Sequence, residues 1–317
     1  MNKCAFLFPG QGSQYPGMAK DFYTQYEVAR QTFLEADDLL SQNFSALIFE
    51  GSEHELKLTK NSQLAIYIVS MAIYRTLEQQ IPYIRPSVCA GLSLGEYTAL
   101  TVADKISFKE ALLLVQARAQ FMHESCTQRE GSMQVILGME SEKVEEIIKN
   151  LNPPHLVWVA NLNCPGQVVI AGDKSGIAKG VETLLSKGAK RALPLEVSGA
   201  FHSGLMQGAQ DRLEPYVRAL ELRETGIELV MNVPGDYVSD LEKIREYLIL
   251  QVTHPVRWEL GIRAMMAQKI EGFIEIGSGK TLTGMNKRIG VTAPTYSLEK
   301  TSDLEGLENF WEVHCNS

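Results

Sequence analysis

The order of the elements predicted for the middle of the chain constrains the fold more than any other feature of the sequence. Short apolar runs of strand length are interspersed there with two longer segments of helix length. These elements cover, in the order strand, helix, strand, strand, helix, strand, residues 132–138, 141–151, 157–161, 167–171, 174–187 and 190–196. The order β-α-β-β-α-β is the ferredoxin-like motif. We therefore expect a small ferredoxin-like domain over residues 127–197.

The two ends of the chain have a different pattern, in which single predicted strands alternate with predicted helices. The strands are residues 3–8, 87–91, 227–233 and 272–276, and the helices include 63–80, 95–103 and 108–124. Such alternation implies a mostly parallel sheet with helices on both faces. We therefore expect residues 1–126 and 198–317 to form one large α/β domain that carries the small domain as an insertion. A cleft between two such domains is a common place for a ligand site.

Composition and charge exclude several classes of protein. Of the 317 residues 45% are hydrophobic and 21% are charged, which argues against intrinsic disorder. The net charge of −8 argues against broad nucleic-acid or membrane-surface binding. No run of apolar residues is long enough for a transmembrane helix, and the first apolar run is too short for a signal peptide. The five cysteines contain no CxxC, so we expect a cytoplasmic protein with reduced thiols and no metal site.

Residues 91–95 form a GxSxG pattern with Ser93 at its centre. A predicted strand precedes the pattern and a predicted helix follows it, which is the arrangement of a nucleophile elbow. The first N–H groups of that helix would lie near an oxyanion formed at the serine. The alternative is a glycine-rich turn between strand and helix that has no chemical role.

A nucleophilic serine needs a base, and histidine is the usual one because its pKa lies near neutral pH. Of the six histidines, only His202 lies in a stretch of small residues without periodicity, at 198–204. That stretch is where the chain returns from the predicted inserted domain. We therefore expect His202 to line the cleft.

Arg118 occupies an inward position of the apolar stripe on the predicted helix 108–124. A buried arginine without an anionic partner is costly, and its planar fork matches a carboxylate. The sequence alone leaves two interpretations open: a site for an acidic ligand, or an internal ion pair with Asp or Glu.

Two further loops contain glycine next to serine. The loop 9–14, after the first strand, could donate a backbone N–H to an oxyanion at Ser93. The loop 277–281 imitates a phosphate-binding loop, but Ile274 stands where that motif requires glycine. We therefore interpret this second loop as an ordinary junction between a strand and a helix.

Taken together, seven motifs resemble those of the malonyl-CoA:acyl carrier protein transacylase family, the acyltransferases of fatty-acid synthesis. They occur in family order over nearly the whole chain: FPGQGSQ at 8–14, GLSLGEYTAL at 91–100, Arg118 in VQARAQFM, NLNCPGQVVIAG at 161–172, VSGAFHSGLM at 197–206, QVTHPVRW at 251–258 and IEIGSGKTLTGMNKRI at 274–289. The resemblance implies a hydrolase-like large domain with a ferredoxin-like insert, in agreement with the element order above.

The resemblance also implies a role for each residue of a catalytic centre. Ser93 would be the nucleophile and His202 the general base and acid. The backbone N–H groups of Gln11 and Leu94 would form the oxyanion hole. The main-chain carbonyl of Gln251 would orient the imidazole, in place of the aspartate of a triad.

Three more residues carry over to substrate binding, and one residue departs from the family pattern. Arg118 would pair with the free carboxylate of the malonyl group, and Gln63 would lie near the pocket. With Phe201, this segment resembles that of family members that prefer malonyl groups. Leu92 stands where the family usually has histidine, which makes the pocket less polar locally. Because that histidine is not the base, we expect activity to survive.

The function implied is ping-pong transfer of malonyl from malonyl-CoA to the phosphopantetheine thiol of holo acyl carrier protein. We expect no cofactor, no metal and a monomer. Alternatives are a serine esterase or thioesterase, a polyketide-pathway acyltransferase, and a non-catalytic module that binds acyl-CoA or a carrier protein. Because carrier proteins are usually acidic, docking would need local basic clusters, which the sequence offers at Lys187, Lys190 and Arg191 and at Lys280, Lys287 and Arg288.

Overall fold

The computed structural model describes residues 3–197 and 199–314, so Ser198 and Cys315 lie outside the described residues. Ten strands lie within these ranges: β1 (Cys4–Phe8), β2 (Val88–Gly91), β3 (Ser132–Leu137), β4 (Val157–Cys164), β5 (Gln167–Gly172), β6 (Arg191–Pro194), β7 (Glu228–Met231), β8 (Asp236–Tyr237), β9 (Gly272–Ile276) and β10 (Thr295–Leu298).

The helices in the described ranges surround two separate sheets. They are α1 (Lys20–Gln25), α2 (Glu27–Leu40), α3 (Phe44–Glu50), α4 (Glu53–Lys57), α5 (Thr59–Gln80), α6 (Gly95–Val102), α7 (Phe108–Gln128), α8 (Ser141–Leu151), α9 (Lys174–Ser186), α10 (Gln207–Arg218), α11 (Leu241–Leu250), α12 (Trp258–Ala267), α13 (Thr281–Ile289) and α14 (Asp303–His314), with a 3₁₀ turn at Gly204–Met206. Among them, none is both long and apolar enough to cross a membrane.

The larger sheet has the strand order β10-β9-β1-β2-β7-β8 and is parallel except for β8. Strands β1, β2 and β9 are buried along their whole length, as expected for a parallel sheet covered on both faces. Phe8 pairs with Gly91 at the ends of β1 and β2. The loop after β1 and the turn after β2 therefore leave the same edge of the sheet side by side.

The smaller sheet is antiparallel, with the order β4-β5-β3-β6, and α8 and α9 join its strands. Its element order is the one that the sequence predicts, so the predicted fold class is confirmed. A separate apolar cluster that includes Ile136, Val144, Val157 and Ile170 packs the two helices on this sheet. The domain bounds at 127 and 197 stay a prediction, and the first of them falls in the last turn of α7.

A segment at Val256 and Arg257, outside the predicted insert, extends the smaller sheet. Val256 donates its N–H to the carbonyl of Ala160 at 2.8 Å and accepts the N–H of Leu162 at 2.9 Å, along the outer edge of β4. Arg257 forms an ion pair with Glu145 on α8, with 2.8 Å between Nη2 and Oε1. Gln251, at the end of α11, lies shortly before this segment.

Candidate active site

Ser93 lies in the turn between β2 and α6 and has a φ of 52°, which is rare for a residue with a side chain. A Cβ on Gly91 would lie 1.9 Å from the carbonyl carbon of Gly95, and a Cβ on Gly95 would lie 2.1 Å from the carbonyl oxygen of Phe8. Both glycines are therefore required by the close approach of backbone on each side of the serine. This steric need explains the GxSxG pattern.

Asn232, directly after β7, holds this strained turn in place. The N–H of Ser93 donates to Asn232 Oδ1 at 2.7 Å, and Asn232 Nδ2 donates to the carbonyl of Gly91 at 2.7 Å. Asn232 was not among the residues predicted from the sequence. A signal was available, because polar residues at the carboxyl ends of parallel strands commonly face the site.

The hydroxyl of Ser93 faces His202, with 2.8 Å between Oγ and Nε2. The other ring nitrogen, Nδ1, lies 2.7 Å from the carbonyl oxygen of Gln251. A carbonyl can only accept, so Nδ1 carries the proton and Nε2 offers its lone pair to the serine. Burial and the nearby Arg118 cation lower the pKa of His202 to about 4, which keeps the imidazole neutral at pH 7.

Arg118 is only 1% exposed, and it lies among neutral acceptors. Its guanidinium donates to Gln63 Oε1, to Gln251 Oε1 at 2.9 Å and to Ser93 Oγ at 3.0 Å. Within the described ranges no carboxylate lies at ion-pair distance from it, and its Nε has no hydrogen-bond partner. The internal ion pair that the sequence left open is therefore not formed, and the geometry suits an anionic ligand.

The N–H groups of Gln11 and Leu94 have no acceptor among the residues that the structure describes. Both residues line the cavity onto which Ser93 and His202 open. Leu94 immediately precedes α6, so its N–H belongs to the set of unsatisfied donors at the start of that helix. These two N–H groups are therefore available to an oxyanion.

The cavity has a volume of about 100 Å³ and lies between the two sheets. Met133 of β3 and Asn161 of β4 line it from the smaller sheet, while Phe201 and Leu92 contribute apolar walls from the larger part of the chain. Phe201 is 5% exposed. The predicted site residues Ser93, His202, Arg118, Gln11, Leu94, Gln63, Phe201 and Gln251 are thus brought together around one cleft, and their chemical roles stay a prediction.

Glu96 is a second residue that the sequence analysis missed. It is 1% exposed in the first turn of α6, and its carboxylate accepts the N–H of Asn232 at 2.6 Å and Gln251 Nε2 at 2.5 Å. Burial raises the pKa of Glu96 above its ordinary value, while the hydrogen bonds from Asn232 and Gln251 and the charge of Arg118 act against that rise. Both oxygens face donors, so the geometry fits the ionised carboxylate. The available signal was a charged residue in a helix whose every position is buried.

The glycine-rich loop at 277–280 forms hydrogen bonds with other residues of this chain. Gly279 donates its N–H to the Glu299 carboxylate at 2.8 Å, and the hydroxyl of Ser278 donates to that of Ser13 at 3.3 Å.

In the part of the chain that the structure describes, no three His, Cys, Asp or Glu side chains cluster as a metal site requires.

Comparisons with known proteins agree with this geometry. The acyl transferase domain family matches residues 5–292. The malonyl CoA-acyl carrier protein transacylase of Bacillus subtilis (strain 168) is 42% identical over 309 residues, which cover 97% of this chain and 96% of that protein. The protein of the same name from Escherichia coli (strain K12) is 37% identical over 304 residues, covering 96% and 98%.

Solved structures give the same result. An acyl carrier protein S-malonyltransferase from Vibrio cholerae matches with a TM-score of 0.91 and 40% identity, covering 96% of this chain and 100% of that one. A malonyl-transacylase in complex with its type II PKS acyl-carrier protein matches with a TM-score of 0.92 and 38% identity, covering 97% and 100%. The chain therefore belongs to the malonyl CoA-acyl carrier protein transacylase family of acyltransferases.

Proposed function

We propose that this acyltransferase moves a malonyl group from malonyl-CoA to the phosphopantetheine thiol of holo acyl carrier protein, for fatty-acid synthesis, through a malonyl-serine intermediate. Relatives over nearly the whole chain are named for this transfer. The observation that carries the mechanism is the position of Ser93 Oγ, 2.8 Å from His202 Nε2 and 3.0 Å from the Arg118 guanidinium.

In the first half-reaction His202 Nε2 takes the hydroxyl proton while Ser93 Oγ attacks the thioester carbon. The carbonyl oxygen becomes an oxyanion that accepts hydrogen bonds from the N–H groups of Gln11 and Leu94. Loss of one such donor costs about 10²- to 10³-fold in rate. The C–S bond then breaks, and His202 returns the proton to the coenzyme A thiolate. The product is malonyl-Ser93.

In the second half-reaction the same imidazole takes the proton of the carrier-protein thiol, whose sulfur attacks the malonyl-serine ester. The Ser93 oxygen leaves and recovers the proton from His202. Both steps need a neutral imidazole with its Nε2 lone pair directed at the reacting groups. The low pKa of His202 and the hydrogen bond from its Nδ1 to Gln251 supply that state.

Selection of malonyl over acetyl follows from the buried guanidinium of Arg118. A malonyl carboxylate would give this cation an anionic partner, whereas an acetyl group leaves it with amide and hydroxyl acceptors. A site built around an unpaired polar group discriminates strongly against the analogue that cannot pair with it.

Arg191 of one predicted basic cluster and Arg288 of the other lie near the same end of the smaller sheet. Gln167, Leu137 and Arg191 are register partners on adjacent strands, and Arg288 of α13 donates to Gln167 Oε1 at 2.9 Å. We define the basic patch as Lys190, Arg191, Lys287 and Arg288, none of which has an ion-pair partner among the described residues. We propose that an acidic carrier protein docks against this patch.

A type II PKS carrier protein is a second candidate acceptor, because one matching structure is a complex with such a protein. The chemistry at Ser93 would be unchanged. We further propose that the enzyme acts as a monomer in the cytoplasm and without nucleic acid or membrane. The described cysteines are buried, which fits reduced thiols in the cytoplasm.

The test is the intact mass of the protein after brief incubation with malonyl-CoA or acetyl-CoA. We expect a malonyl adduct that is absent from Ser93→Ala, present in the matched control Ser278→Ala, and weak with acetyl-CoA. Release of free coenzyme A without an adduct would indicate a hydrolase. Neither adduct nor release would indicate a non-catalytic binding module. Transfer from the adduct to each carrier protein then identifies the acceptor.

A further inference from the structure

The carboxylate of Glu96 lies at the centre of a buried polar network that the proposed mechanism does not use. It accepts one hydrogen bond from the main chain of Asn232 and one from the side chain of Gln251. Among the described residues no cation forms an ion pair with it. A buried carboxylate held only by neutral donors is costly, so its presence needs a reason.

The two contacts require a group that accepts hydrogen bonds at both ends. The partners are the N–H of Asn232 and Nε2 of Gln251, and both are donors. A glutamine at position 96 would have the same shape but only one acceptor oxygen. Its amide NH₂ would then face one of these donors, and a buried donor would be left unsatisfied.

The orientation of the Gln251 amide depends on this carboxylate. Nε2 of Gln251 donates to Glu96 and to the carbonyl of Ser93 at 2.9 Å, while its Oε1 accepts from Arg118 at 2.9 Å. A flipped amide would direct NH₂ at the guanidinium, so that two donors would face each other. The carboxylate therefore keeps the acceptor end of Gln251 directed at Arg118.

The same carboxylate also reaches the nucleophile and the base through its two partners. Asn232, whose N–H it accepts, holds the N–H of Ser93 and the carbonyl of Gly91. Gln251, whose side chain it anchors, accepts the Nδ1–H of His202 at its own carbonyl. Glu96 itself does not contact His202 in the described structure, so it does not replace the aspartate of a triad.

We propose that Glu96 is a positioning residue that fixes Ser93, His202 and Arg118 relative to one another through Asn232 and Gln251. This inference rests on the proposed function. It assigns the carboxylate two effects that are measured separately. Through Asn232 and the Gln251 carbonyl it supports kcat for any acyl group, and through the Gln251 amide it supports the malonyl KM.

The experiment compares Glu96→Gln with the matched control Glu275→Gln. Glu275 is also fully buried and accepts two backbone N–H groups, from Leu282 and Thr283, but it lies outside the cavity. Because small displacements of reacting groups cost up to about 10²-fold, we expect Glu96→Gln to lower kcat about 10- to 100-fold with both acyl-CoAs. Its malonyl KM should rise more than its acetyl KM. Glu275→Gln should lower the melting temperature yet keep kcat and both KM values.

A double-variant cycle tests whether Glu96 acts through Gln251. Added to Gln251→Ala, which keeps the main-chain carbonyl, Glu96→Gln should leave the ratio of malonyl to acetyl KM unchanged. If Glu96→Gln does not fold, Glu96→Asp replaces it, since its shorter arm cannot reach both donors and should raise the same ratio. The inference is overturned if the folded variant keeps the parent kcat and KM ratio, or if the ratio shifts equally with and without Gln251. A parent protein that forms no adduct would instead overturn the proposed function.

Discussion

Two junctions between a strand and a helix lie at the same edge of the large sheet, and only one has the geometry of a catalytic turn. The first leads from β2 through Ser93 to α6, and the second leads from β9 through Ser278 to α13. Both place a serine between glycines. The Ser93 hydroxyl faces the imidazole of His202 at 2.8 Å, whereas the Ser278 hydroxyl lies 3.3 Å from that of Ser13.

The two junctions also differ in how their backbone N–H groups are used. At the second, Gly279 donates to Glu299, and two N–H groups at the start of α13 donate to the buried carboxylate of Glu275. At the first, the N–H of Leu94 has no acceptor in the described structure. A glycine-serine turn is thus prepared for chemistry when its hydroxyl meets a base and the N–H of the residue after the serine is left unpaired. The residue pattern alone does not provide this.

The largest difference between the junctions should be steric. In Gly91→Ala the new Cβ would meet the backbone of Gly95 at 1.9 Å, so we expect the free energy of unfolding to fall by about 3 kcal/mol or more. In Gly279→Ala the nearest atom is 3.8 Å away, and only the φ of 83° is unfavourable, at about 1–2 kcal/mol. Urea denaturation of both variants measures the difference. Equal losses would mean that the two turns are packed alike.

The next largest effect should come from the buried cation that only the first junction has. Arg118→Ala removes the partner of the malonyl carboxylate, so malonyl transfer should fall by about 10²-fold or more relative to acetyl transfer. The measurement is kcat/KM for both acyl-CoAs. Arg75→Ala is the control, because Arg75 pairs with Glu35 outside the cavity. Equal losses for malonyl and acetyl would exclude Arg118 as the source of selectivity.

The sequence predicted the fold class because local patterns determine it. Strand and helix periodicity, together with the β-α-β-β-α-β order, is sufficient to place two sheets. Ser93, His202 and Arg118 could also be singled out, because each is unusual for its local context. Asn232 and Glu96 each left a local signal, but their roles lie in hydrogen bonds across 136 to 141 residues of sequence, which no local pattern shows. The Gln251 side chain was missed for the same reason.

A smaller effect concerns the pH dependence of the first junction. The neutral imidazole is the active form, so kcat/KM should fall as the pH falls through the pKa of His202, at about 4. Arg118→Gln removes the cation that lowers the pKa of His202. The pH at which kcat/KM falls should therefore be higher in this variant. Acetyl-CoA is the substrate of choice, because its acyl group carries no carboxylate to neutralise Arg118. If kcat/KM of the parent enzyme fell near pH 6.5, the ordinary pKa of histidine, this would contradict the buried state of the base.

The smallest expected effect lies outside both junctions, at the basic patch. Reversing two of its charges, in Arg191→Glu with Arg288→Glu, should slow transfer from malonyl-Ser93 to acidic carrier protein by about tenfold at low salt and less at high salt. Formation of malonyl-Ser93 from malonyl-CoA should stay at the parent rate, because the reacting groups at the first junction are untouched. Single-turnover measurements separate the two half-reactions.

The control is the double variant Lys20→Glu with Lys179→Glu, which reverses the same number of charges outside the patch, where these lysines pair with Glu50 and Glu182. If this control slows transfer as much as the patch variants do, net charge rather than a docking surface determines the rate. A matched loss in both half-reactions would instead mean that the substitutions disturb the cavity itself. If only the patch variant loses rate, and only in the second half-reaction, then the patch acts in recognition of the carrier protein and not in the chemistry at Ser93.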